Sequence, residues 1–105
     1  MAFFKAARDQ FKANAMVSHL EFAVQRFNPG SISLATRHLS DATKALVALR
    51  KAEGEYILTK VGWDYVAQLC EELKTLSKMG GFPQMARDCD YISEYCTQVI
   101  ARSLK

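Results

Sequence analysis

The chain has 105 residues, half of them hydrophobic and 24% charged, a balance that supports one ordinary core and excludes a disordered chain. Fourteen Lys and Arg against eleven Asp and Glu leave a net charge of +3, too mild for the dense basic stripe of a dedicated nucleic-acid domain. No run of eighteen apolar residues occurs, and Met1-Ala2-Phe3-Phe4-Lys5 lacks the pattern of an export signal, so a soluble, cytoplasmic protein with no membrane span is expected.

The first segment carries two apolar stripes at helical spacing, Phe4, Ala7 and Phe11 and then Met16, Leu20, Ala23 and Phe27. Their phase slips near Asn14, which predicts a kink or a separate N-terminal helix. Phe3, Phe4, Lys5, Arg8, Phe11 and Lys12 make a short basic amphipathic stretch. The phenylalanines are expected to pack into the core with the basic side chains outward, docking on an acidic membrane surface being the alternative. Asn28-Pro29-Gly30 then ends the pattern, and Ser31 or Ser33 is a candidate N-cap for the next helix.

In the second segment Ile32, Ala35, Leu39, Ala42, Leu46 and Leu49 alternate steps of three and four, with small alanines that admit a close neighbour. Its end is ambiguous, because a lone glycine such as Gly54 costs a helix only about 1 kcal/mol. Either four helices form with a turn near 54, or three long ones with a turn at Val61-Gly62-Trp63-Asp64. The third segment shows a stripe of Leu58, Val61, Tyr65, Leu69, Leu73 and Leu76, widened by Val66 and Cys70. Gly80-Gly81-Phe82-Pro83 combines a C-terminal glycine stop with a proline suited to a first helical turn. Beyond it Met85, Cys89, Ile92, Cys96 and Val99 trace a bundle seam. The fold class expected is all-α: residues 1–105 as one antiparallel helical bundle of four helices, or of three long helices if the second runs through Gly54.

Little in this pattern offers chemistry. His19 and His38 are the only histidines, and neither has a neighbouring carboxylate placed to hold it as a general base, so both are read as half-buried or surface residues. Cys70, Cys89 and Cys96 are spaced too widely for a zinc knuckle and are read as small apolar core residues without disulfides. Glu71-Glu72 and Asp88 with Asp90 read as solvated helix faces, the first pair able to meet Lys74 or Lys78 along its own helix. Gly80-Gly81 lacks the Lys-Ser/Thr of a phosphate loop. No catalytic residue, metal site or cofactor is implied, and the chain is not expected to be an enzyme.

The aromatic residues give a positive signal. Tyr91 projects away from the last seam, Tyr95 flanks it and Trp63 stands at a turn, so these three are the candidate protein-binding residues. Tyrosine and tryptophan anchor interfaces because each buries a large area at small entropy cost. A staple beneath the turn is the competing role for Trp63. Charge adds a second signal: residues 1–52 carry eight basic against three acidic side chains, residues 53–105 six against eight. That polarity either steers an acidic partner or lets the two halves of the bundle attract each other.

The stretch from Gly62 to Leu104, with Val66-Ala67-Gln68-Leu69-Cys70-Glu71-Glu72-Leu73 and Lys78-Met79-Gly80-Gly81, resembles the C-terminal helical hairpin of histidine phosphotransfer domains. The resemblance implies a four-helix bundle that relays phosphate between receiver domains. In that family a phosphorylatable histidine, followed by Leu, Lys and a small residue, stands about ten residues before the glycine matching Gly62. Here that place falls near Ala52, in Lys51-Ala52-Glu53-Gly54-Glu55-Tyr56, and holds no histidine. His38 lies too far from Gly62 to inherit the role. The resemblance thus implies a degenerate member that binds a partner without transferring phosphate.

Taken together, these features predict a non-enzymatic helical interaction module, an adaptor or regulatory subunit whose partner is another protein or a second copy of itself. The alternatives are a phosphorelay or receiver-binding domain, with transfer through His38, and nucleic-acid binding by Lys5, Arg8, Lys12, Arg37 and Lys44.

Overall fold

The computed structural model describes residues 2–103. Four helices follow one another: α1 (Ala2–Gln25), α2 (Ile32–Lys51), α3 (Lys60–Gly80) and α4 (Pro83–Ser103), with one 3-10 turn at Glu55–Ile57 before α3. The all-α bundle is therefore the four-helix form, and α2 ends before Gly54. Among the described residues no helix is long and apolar enough to cross a membrane.

Each junction has a local cause. At the first, Asn28 Oδ1 accepts from the Gly30 amide, and Ser31 sits at the N-cap position of α2 but donates its hydroxyl to Arg26 O instead of capping. At the second, the Glu53 amide donates to Arg50 O and the Gly54 amide to Leu49 O, the paired bonds that close a helix C-terminus. The left-handed residue of this turn is Glu53, at φ 53°, and not the glycine. Gly54 serves a different need: a Cβ there would lie 2.6 Å from the Asp9 carboxyl carbon and 2.8 Å from Leu49 Cδ1. A side chain there would have to displace the bonded Asp9 carboxylate or the Leu49 methyl for the turn to close against α1. Thr59 then caps α3, its hydroxyl accepting from the Gly62 amide, so Val61-Gly62-Trp63-Asp64 belongs to the first turn of α3 and is not a joint. Gly81, at φ 78°, ends α3, and Pro83 begins α4.

α1 packs along α2 and α3 along α4, and the two hairpins meet through α1 against α3 and α2 against α4. Helices joined by a loop run antiparallel. Those meeting across the hairpins run in the same direction, as shown by Glu21 bonding Tyr65, Thr36 touching Met85 and Arg50 reaching Tyr91.

One continuous core joins all four helices, with Ala35, Leu39, Ala42, Leu46 and Leu49 of α2 and Met85, Cys89, Ile92, Cys96 and Val99 of α4 buried as their periodicity predicts. α3 departs from its expected stripe. Its buried face is Trp63, Val66, Leu69, Cys70, Leu73 and Ser77, while Val61 is 77% exposed and Tyr65 lies outside, donating its hydroxyl to Glu21. The cause is Trp63, drawn inward by an Nε1 bond to Glu55 O, which turns Val61 to the far side of the helix. Lys74 pairs across the hairpin with Asp90 at 2.6 Å, not along its own helix with Glu71 or Glu72.

Candidate functional site

The outer face of α1 carries three exposed phenylalanines that the core does not use. The predicted kink is absent; α1 is one continuous helix of 24 residues. At about 100° per residue, Phe4, Phe11 and Phe22 fall within about 20° of one another and about 150° from the middle of the buried stripe of Ala13, Met16, Leu20 and Ala23. The two stripes therefore occupy opposite sides of one helix. Phe4 is 62% and Phe11 76% exposed, which overturns the expectation that they pack into the core; the side chain of Phe3 lies outside the described residues.

Around these rings the surface is basic. Phe4, Ala7, Arg8, Phe11 and Lys12 line a shallow apolar depression of about 690 Å³ on α1 alone. The two acidic residues of α1 are both engaged elsewhere. Asp9 is buried, accepting from Lys5 Nζ at 2.6 Å and from the Tyr56 hydroxyl at 3.2 Å, and Glu21 accepts from Tyr65 at 2.6 Å. The hydrogen bond from Lys5 holds the Asp9 carboxyl below its usual range against the opposing effect of burial, and the same bond raises Lys5. Lys5 is thus committed to the fold, while Arg8 remains exposed beside Phe11.

Trp63, Tyr91 and Tyr95 are brought together, but chiefly as structure. Trp63 is 1% exposed beneath the turn, which is the staple, and it meets Tyr95 edge-to-face at 5.7 Å between ring centroids. Tyr95 is also buried, and burial raises its hydroxyl pKa. The Arg50 guanidinium lies 4.4 Å from the Tyr95 centroid and donates to the Tyr91 hydroxyl at 2.9 Å. Tyr91, 38% exposed, is the one member left with surface to offer a partner. Trp63 and Tyr95 pack α3 against α4 with little of either ring exposed.

The cysteines and histidines take different places. Cys70, Cys89 and Cys96 are free and buried, and desolvation raises all three thiols, Cys89 and Cys96 to about 12. They are core residues with little thiolate character. His19 and His38, far apart in the sequence, meet across α1 and α2 with their Nδ1 atoms 3.0 Å apart. The turn itself carries the signal for this contact. In an antiparallel pair, residues equally far from the turn face each other, and His19 and His38 flank Asn28-Pro29-Gly30 at nearly equal distances.

Among the described residues no group of three or more His, Cys, Asp or Glu converges to hold a metal. No family model, curated protein or solved structure matches the chain.

Proposed function

We propose that the chain is a non-enzymatic helical interaction module, an adaptor or regulatory subunit, that docks an acidic amphipathic helix of a partner protein along the outer face of α1. The observation that carries this reading is the exposure of Phe4 and Phe11 directly behind the core-facing stripe of their own helix. Exposed rings at positions i, i+7 and i+18 are the spacing at which a helical ligand meets a helix surface, and Ala7, Ala15 and Ser18 between them leave room for its backbone. Arg8 and Lys12 border the stripe, and among the described residues neither forms an ion pair, the Asp9 carboxylate being bonded to Lys5, so the complementary ligand is acidic. A second copy fits less well, since self-pairing of this face would set Arg8 and Lys12 against their own counterparts.

The test is a photo-crosslinking amino acid placed at Phe11 in cells expressing the chain, with the same group at exposed Thr75 on α3 as control. The expected result is one discrete adduct specific to position 11 that disappears when Arg8 and Lys12 are both changed to Glu. Identical adducts at both positions, or none at position 11, would refute the docking face. An adduct of twice the chain mass would replace the partner with a second copy. Salt-sensitive retention on nucleic acid lost with the same charge reversals would move the reading to that ligand.

A further inference from the structure

The geometry points to a second, independent site: His19 and His38 form a two-nitrogen site for a borderline divalent metal ion such as Zn²⁺, joining α1 to α2 from the side.

The chain has two histidines, 19 residues apart, and the fold brings them into direct contact at the half-buried margin of the hairpin. Their Nδ1 atoms are 3.0 Å apart and their ring planes are tilted by 34°. Zinc–imidazole bonds of about 2.0–2.1 Å place two ligand nitrogens about 2.9 Å apart at a right angle and about 3.4 Å apart at the tetrahedral angle. The observed separation lies inside that interval. Binding requires the two rings to turn so that both lone pairs meet at one point outside the N···N line, which the short separation and tilted planes leave within reach of side-chain rotation. The Phe22 ring, 5.3 Å from His38 between centroids, supplies an apolar wall beside the pair, the kind of surround that limits ring motion and solvent access.

The proton balance is simple. In the metal-free contact one neutral ring donates Nδ1–H and the other accepts at Nδ1. For both nitrogens to bind, the donor ring moves its proton to Nε2 through water, so a neutral pair takes up the ion with no net proton release. With no third protein ligand converging among the described residues, water completes the coordination. The site is accordingly open and exchangeable. The buried thiols belong to the other hairpin, α3 and α4.

The experiment is a Zn²⁺ titration of the full chain at a pH of about 8, above the ordinary imidazole range. Binding is followed by calorimetry and by ¹⁵N NMR of the imidazole nitrogens. The expected result is one ion per chain, with both Nδ1 signals moving and the proton residing on both Nε2 atoms. His19→Gln and His38→Gln are each expected to weaken binding by about tenfold or more, at least what losing even an outer-shell partner costs. Unchanged affinity in both variants, or no shift of either Nδ1 signal in the unmodified chain, would overturn the site. Co²⁺ provides a further check, because a thiolate charge-transfer band would assign the ion to cysteine and refute the histidine pair. The NMR readout on the unmodified chain stands even if a variant fails to fold. It does not depend on the docking face.

Discussion

A paired truncation on α1 decides whether that helix has two faces. Leu20 is fully buried against the core, and replacing it with alanine removes buried methylenes and leaves a cavity, a change that costs about 2–5 kcal/mol. Phe11, on the opposite face, already has 76% of its surface in water, so Phe11→Ala removes little buried area and is expected to stay within about 0.5 kcal/mol of the parent. For a domain near this size each kcal/mol moves the melting midpoint by about 4–8 °C. Leu20→Ala should therefore lower Tm by roughly 10 °C or more, and Phe11→Ala by no more than about 4 °C. Circular dichroism melts, with urea unfolding to confirm that the m-value is unchanged, give both numbers. If Phe11→Ala cost as much as Leu20→Ala, the outer face would be packed, and the proposed docking surface would fall with it.

The α2–α3 turn yields opposite effects at adjacent positions. Gly54→Ala forces a methyl group onto Asp9 and Leu49 and should destabilise by about 1–3 kcal/mol, whereas Glu53→Gly relieves a left-handed non-glycine residue and should stabilise by about 0.5–1 kcal/mol, both measured by urea unfolding. Trp63→Phe removes the bond to Glu55 O and part of a fully buried ring, a loss of about 2 kcal/mol; the chain then has no tryptophan, so far-UV dichroism must report it. Asp9 is held below its usual range chiefly by Lys5, so its contribution is complete above the ordinary carboxylate range and is lost as pH falls through its depressed value; Asp9→Asn should flatten that acid limb of stability against pH. At the alkaline end, unfolded thiols ionise near about 8.5 while Cys89 and Cys96 stay protonated to about 12. Stability should fall as pH rises through that interval, and a Cys89→Ala, Cys96→Ala double variant should show a shallower decline.

Where a helix has one apolar face, the spacing of its residues locates that face. α2 and α4 are of this kind, and their buried positions follow their three-and-four rhythm almost residue for residue. α3 misleads because two stripes share Leu69 and Leu73. Choosing between them requires knowing that Trp63 donates inward to a backbone carbonyl seven residues before Gly62, a tertiary fact with no local signature. α1 misleads differently. Its two stripes resemble one face interrupted by a kink, although the five-residue step from Phe11 to Met16 turns a straight helix by about 140° and already places them apart. The end of α2 is hidden because the left-handed residue is a glutamate, while the adjacent glycine answers to Asp9, forty-five residues away.

The arrangement of side chains on α1 runs against what packing alone would produce. Its inward stripe includes Ala13 and Ala23, while its largest apolar residues in the described region, Phe4, Phe11 and Phe22, point outward. Burying one such ring would contribute roughly 1.5–3 kcal/mol, so a helix shaped only by stability would exchange the two sets. The close fit of α1 against α2, where Ala35 and Ala42 are also fully buried, limits what the inner face can hold. Space therefore accounts for the small residues inside. It gives no reason for aromatic ones outside, where serine or lysine would serve folding equally well and solubility better. The outward phenylalanines are the residues the proposed docking face would use, and Phe22 borders both that stripe and the His19–His38 contact.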